Sequence, residues 1–238
     1  MTSGARTVSS VVRTKKAVIF DLFHTLTPLE STWAEARPMT HQMLGVSREA
    51  WNEQLFECSR DRLAGIQTNP IEIVRGMARR IDPTITDETI RAATENRIAR
   101  FAAALVRITP ETRTVIHTLR QQGLRIGLVS NADVTEVAGW SQSPIADLFD
   151  STIFSRHVGH VKPEPAIYRL SLEQLGVTAP EAVFVGDGGS NELKGARDLG
   201  ITAVMVTNVI RELWPDRIAE RANQADFQIE HLAELIAP

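Results

Sequence analysis

Lys16-Ala-Val-Ile-Phe-Asp-Leu22 decides the fold. A short, unbroken apolar run that ends in an acid reads as a strand buried on both faces, the habit of parallel sheets. Farther along, three more runs have the same texture: Arg125-Ile-Gly-Leu-Val-Ser130, Ala182-Val-Phe-Val-Gly-Asp187 and Thr202-Ala-Val-Met-Val206. Shorter strands are expected at Ser151 to Phe154 and Asp226 to Ile229. Helices are expected from about Glu111 to Gln122, Pro165 to Leu175 and Glu192 to Leu199, stopped by Gly123, Gly176 and Gly200, and a last helix follows the last strand. Strand and helix in alternation predict an α/β fold, a doubly wound parallel sheet covered on both faces.

Between the first two strands the texture changes. From about Ser31 to Val106 the pattern is helical. Trp33, Met39 and Met43 share one stripe, Trp51, Leu55, Cys58 and Arg62 a second, and Ile71, Val74, Ala78 and Ile81 a third. Asp87 is placed to cap a further helix from about Glu88 to Leu105. About four helices inserted into an α/β core are expected. The boundaries follow: an N-terminal arm at 1–14, a core at 15–28 and 108–238, and a helical insert at 29–107.

Composition narrows the function. The chain has 238 residues, 43% hydrophobic and 23% charged, with a formal net charge of −3. A core burying roughly 70% of the extended chain's surface is within reach. The slight acidity argues against a broadly basic nucleic-acid surface. The one cysteine, Cys58, excludes an intrachain disulfide framework and a cysteine-cluster zinc site. No run approaches the roughly 18 to 20 apolar residues of a membrane span. Met1 to Lys16 lacks the apolar centre of a signal peptide, so a cytoplasmic location is expected. Basic residues are skewed: 22 are Arg, and the only lysines are Lys15, Lys16, Lys162 and Lys194.

Ligands of open α/β sheets bind beyond the carboxyl ends of the strands. At those ends stand Asp21 with Phe23, His24 and Thr25; Ser130 and Asn131; Lys162; and Asp187 with Glu192. Carboxylates without a His or Cys cluster suit a hard, oxygen-seeking ion, above all Mg²⁺. A hydroxyl, an amide and an ammonium suit the oxygens of a phosphate. A strand-end Asp beside such a cation and a lysine could attack phosphorus.

In order and placement these segments resemble the four motifs of the haloacid dehalogenase superfamily of aspartyl-nucleophile hydrolases. The first is Asp21-Leu-Phe-His-Thr-Leu26 and the second Leu128-Val-Ser-Asn131. The third, the most specific, is Gly159-His-Val-Lys-Pro-Glu-Pro-Ala-Ile-Tyr168, and the fourth is Val185-Gly-Asp-Gly-Gly-Ser-Asn-Glu-Leu-Lys-Gly-Ala196. The likeness covers most of residues 16 to 236, and the insert resembles the family's helical cap. It implies Asp21 as nucleophile, Thr25 and Ser130 as contacts to substrate oxygens, and Lys162 as charge neutraliser. It also implies Mg²⁺ held by Asp21, the Phe23 backbone carbonyl and Asp187, with Glu192 in support. Asn131, Phe23 and His24 are the expected substrate neighbours.

The sequence departs from the family's phosphatases at one position. Their second acid protonates the leaving group and then activates water; here that residue is Phe23. General acid–base help is worth about 10²–10⁴-fold. Three readings follow. The first is a slow or specialised phosphatase of a small phosphorylated metabolite, with a good leaving group or a histidine (His24, His157 or His160) in place of the acid. The second is carbon–halogen hydrolysis, since 2-haloacid dehalogenases carry an aromatic residue at this position and halide leaves unprotonated. Those enzymes resemble metal-free sites without the Gly-Asp pair of the fourth motif, which is kept here, so the phosphatase reading stands first. The third is a non-catalytic module that binds a phospho-ligand or a protein. Phosphonate cleavage through a cap lysine is set aside, because residues 29–107 contain no lysine, eleven Arg and eleven Asp or Glu. Arg37, Arg60 and Arg62 are the cap candidates for a substrate carboxylate or second phosphate. The expected partner is a small-molecule substrate, with neither nucleic acid nor membrane; monomer and homodimer are both left open.

Overall fold

The computed structural model describes residues 7–27, 37–57 and 59–238. Six strands, all parallel, form one sheet: β1 (Ala17–Phe20), β2 (Arg125–Ser130), β3 (Ser151–Phe154), β4 (Ala182–Gly186), β5 (Thr202–Val206) and β6 (Phe227–Ile229). Their order across the sheet is β3-β2-β1-β4-β5-β6. The expected doubly wound α/β core is therefore present. Strand β1 lies in the middle, and the order reverses between β1 and β4, which opens a crevice beyond their carboxyl ends.

The pleat divides each central strand between two cores. Val18, Phe20, Val183, Val185, Val204 and Val206 face one apolar cluster, completed by Val115, Ile116 and Leu119 of the Pro110–Gln121 helix. Ala17, Ile19, Ala182, Phe184, Ala203 and Met205 face the other. That side is covered by the Pro165–Leu175 and Glu192–Asp198 helices through Ile167, Tyr168, Leu172, Leu193 and Ala196. Every residue of β1 is fully buried, so each large apolar side chain there stabilises the fold by about 1.5–3 kcal/mol. The run Ala17 to Phe20 cannot be made polar without losing one core or the other.

The expected arm at 1–14 is corrected from Thr7 onward. Val8–Val12 is a helix whose Thr7 side chain accepts from the Ser10 amide. Val8 and Val12 enter the first core, and Arg13 bonds the Ala237 carbonyl at the far end of the chain. The last segment, Leu232–Ile236, is a 3₁₀ turn rather than an α-helix, and it packs against this N-terminal helix.

Between β1 and β2 run the helices Thr40–Leu44, Arg48–Glu57, Arg60–Leu63, Pro70–Ile81 and Asp87–Val106. All but Arg60–Leu63 contribute to a third apolar cluster around Trp51, Ile73, Val74, Met77 and Ile90. The long helix is capped one residue earlier than expected, by Thr86, whose hydroxyl accepts from the Thr89 amide. The second stripe does not run through as one helix, because Arg48–Glu57 ends before Arg60–Leu63 begins. Trp33 and Cys58 lie outside the described residues.

A buried ionic network ties these helices to the segment that follows β2. Arg62 donates to Asp133 at 2.8 Å and to the Leu55 carbonyl at 2.7 Å. Arg97 donates to Glu136 at 2.6 Å and to the Thr135 hydroxyl at 2.8 Å. Asp133 also accepts from the Thr135 amide and hydroxyl, which with both arginines overcomes its burial and keeps its carboxyl below the ordinary range. Arg62 is thus engaged inside the protein and is not the substrate contact considered above. Arg60, by contrast, is exposed and pairs with Glu164 at the surface. Among the described residues, no helix is long and apolar enough to cross a membrane.

Removing one member of such a network strands the others in the interior. Asp133→Ala should therefore cost about 3–5 kcal/mol of stability. Urea denaturation measures it, and a loss below about 1 kcal/mol would show the network to be solvent-screened like a surface pair.

Candidate active site

Four segments meet at the crevice. Asp21 stands one residue beyond β1, and its amide still donates to the Val185 carbonyl, extending the sheet by one bond. Ser130 ends β2. Asp187 follows β4. Glu192 opens the Glu192–Asp198 helix, and Lys162 arrives from the loop before Pro165–Leu175. The parallel register brings Phe20 level with Val185 and with Leu128, so the next residues of three strands emerge side by side.

Lys162 is the hub. Its Nζ lies 2.5 Å from Asp21 Oδ1 and 2.5 Å from Glu192 Oε2, with all three side chains buried. Burial alone would lower the lysine's pKa, but the two carboxylates outweigh it and hold the ammonium above its ordinary value. Burial raises Asp21, with Asp187 adding to the rise and Lys162 opposing it. Thr25 donates to the second oxygen of Asp21 at 3.2 Å.

Asn131 was expected at the substrate. Its amide instead spans the main chain of Lys162, accepting from the lysine N–H at 2.7 Å and donating to its carbonyl at 3.0 Å. It positions the lysine. Ser130 behaves differently: its Oγ is buried without a hydrogen-bond partner. Such a deficit costs about 1–3 kcal/mol, and an oxygen of a ligand would remove it.

Asp21, Asp187 and Glu192 bring ligand atoms within 4.8 Å of one another, all buried. Glu192 is pushed up to about 8, first by burial and then by the neighbouring Asp21 and Asp187, against the pull of Lys162. Its two oxygens accept from Lys162 and from the Gly188 amide. Gly186 makes room for it, because a Cβ there would lie 2.2 Å from Glu192 Oε1. Asp187 accepts from the Gly189 amide at 2.9 Å and from Arg221 Nη1 at 2.7 Å. Three carboxyl groups stand beside two cationic side chains, an oxygen-rich donor set without His or Cys. That donor chemistry fits Mg²⁺.

The side chain of Phe23 packs edge-on against Phe101 of the Asp87–Val106 helix, with centroids 5.2 Å apart. Arg97 of the buried network lies over Phe101 in turn, 4.8 Å from its centroid. His24 has a left-handed backbone (φ 62°), and its ring meets Trp214 edge-on at 5.1 Å. His160 pairs with Glu164, and His157 contacts Arg156 and the Phe154 ring. Trp214 and Arg221 escaped the sequence reading. Both lie beyond β5: Trp214 follows the short helix Asn208–Leu213, and Arg221 sits in Ile218–Ala222, helices too short for a helical stripe to announce them.

Comparison with known proteins bears on the fold and the family. The family model described as haloacid dehalogenase-like hydrolase matches residues 15–200. A glyceraldehyde 3-phosphate phosphatase of Methanocaldococcus jannaschii is 25% identical over 229 residues, covering 93% of this chain and 95% of its own. Among solved structures, a dehalogenase aligns with a TM-score of 0.67 at 19% identity, covering 93% of this chain and 95% of its own. A haloacid dehalogenase family enzyme of Bacteroides thetaiotaomicron, solved as a magnesium complex, aligns with a TM-score of 0.60 at 22% identity over 81% of this chain and 93% of its own. At those identities the two structures speak for the fold. The family match spans most of the chain, and with it the chain belongs to the haloacid dehalogenase-like hydrolases.

Proposed function

We propose that this hydrolase cleaves the phosphate ester of a small metabolite, with Asp21 as the nucleophile and Mg²⁺ as cofactor. The observation that carries the reading is the convergence of Asp21, Lys162, Asp187 and Glu192 in one buried crevice. The Methanocaldococcus relative, named for a phosphatase and matched nearly end to end, supports it.

Asp21, Asp187 and the Phe23 carbonyl would hold Mg²⁺, with Glu192 in support through its bonds to Lys162 and the Gly188 amide. When bound, the ion supplies positive charge against the negative charge of a phosphoryl group. Ser130 offers its free hydroxyl to a phosphate oxygen, and the Lys162 ammonium neutralises charge beside Asp21. Thr25 and Lys162 orient the Asp21 carboxylate, one on each oxygen. The carboxylate attacks phosphorus, the ester bond breaks towards the leaving oxygen, and an aspartyl-phosphate forms. Water then attacks that phosphorus and releases phosphate. The helices at 37–107 act as a cap that brings Phe101 against Phe23.

Phe23 restricts the substrate. Its ring rests on another ring, so the position of the usual acid offers no proton. The leaving oxygen must depart as a weakly basic anion, as from an acyl or aryl phosphate. The same apolar wall favours a second reading, carbon–halogen hydrolysis by attack of Asp21 on carbon, because halide leaves without a proton.

Mg²⁺-dependent turnover of p-nitrophenyl phosphate is expected, falling to background in Asp21→Asn; an unchanged rate in that variant would refute the nucleophile. Phe23→Asp should raise turnover of an alkyl phosphate by about 10²-fold and change that of p-nitrophenyl phosphate far less. Equal gains on both esters would mean that leaving-group protonation is not what the site lacks. Halide release from 2-chloropropionate, insensitive to EDTA, would replace the phosphatase reading with the second one.

A further inference from the structure

Arg221 is built into the wall of the acidic cluster. Its Nη1 donates to Asp187 Oδ2 at 2.7 Å and to the Asp187 carbonyl at 3.1 Å. The guanidinium carbon lies 5.6 Å from the centre of the Trp214 ring, and Trp214 meets His24. The arginine stem runs along Gly188. A Cβ on that glycine would lie 2.9 Å from Arg221 Cβ and 3.1 Å from its Cδ, and the backbone there has φ 86°. A side chain at 188 would thus be strained and would push the arginine away. The loop after β4 is shaped to admit this cation, and the Arg221 side chain is only 17% exposed.

We propose that Arg221 is a positioning residue that competes with the divalent cation for Asp187 and so sets how tightly the site holds it. The inference rests on the reading that the acidic cluster takes Mg²⁺. Without an ion, the guanidinium neutralises Asp187 and keeps its carboxylate in the crevice. When an ion approaches, it meets a carboxylate oxygen already shared with a cation, and two positive charges within a few ångströms repel each other strongly in a partly buried site. Binding the ion therefore loosens the Arg221–Asp187 pair. Trp214, which stacks on the guanidinium, reports the loosening.

The test is calorimetric titration of the full chain with Mg²⁺ alone. Arg221→Met keeps the apolar stem against Gly188 and Trp214 but removes the charge, and it should bind Mg²⁺ about tenfold more tightly than the wild type. Arg221→Lys keeps the charge and should stay within about threefold. Asp187→Asn should give no binding heat. Equal or weaker affinity in Arg221→Met overturns the proposal while leaving the metal reading intact. No heat from either wild type or Arg221→Met overturns both. Emission supplies a second readout: Mg²⁺ should shift the tryptophan fluorescence of the unmodified chain, and Trp214→Phe should remove the shift. A silent emission at calorimetric saturation also counts against the competition.

Discussion

One ammonium between two carboxylates organises this molecule. Lys162 touches Asp21 beyond β1 and Glu192 at the start of a helix, and each contact is buried. A buried carboxylate is costly unless paired, and the lysine's charge offsets much of that cost for both acids at once. The lysine in turn depends on Asn131, which grips its main chain from the end of β2. Three strand ends and one loop must therefore arrive together. A parallel sheet whose order reverses beside its central strand meets that demand, because its carboxyl ends all open on one crevice.

Much of this was legible in the residues. β2, β3 and β5 fall where apolar runs bounded by turns and charges put them, and the Pro165–Leu175 helix runs between its proline and its glycine. The groups gathered at the crevice were also readable, since strand ends are where a doubly wound sheet delivers its side chains. The misses have physical reasons. Arg62 and Arg97 look like the other arginines of the insert, and Asp133 lies 71 residues beyond Arg62, so only tertiary structure reveals their pairing. The amide of Asn131 could equally have faced a ligand; its engagement with Lys162 depends on a loop 31 residues away. The N-terminal segment is polar enough to read as an arm, yet Val8 and Val12 suffice to dock it.

The aromatic contact of Phe23 links the chemistry to the insert. Phe23 touches Phe101, Phe101 lies under Arg97, and Arg97 belongs to the ionic network with Glu136 and Thr135. The residue that replaces the expected acid is thus held by side chains from two separate parts of the chain. An acid in its place would face an apolar ring, which raises a carboxyl's pKa and favours the protonated form.

That same network has a consequence for how such proteins diversify. The insert does not merely rest on the core; its arginines Arg62 and Arg97 find their counter-charges on Asp133 and Glu136, in the segment that follows Ser130 and Asn131. The two stretches form one packing unit although they are far apart in sequence. A chimera that grafts a relative's helices onto this sheet would leave two buried acids without counter-ions unless it also transplanted residues 133–136. Any exchange of the insert must then carry with it the segment that follows β2.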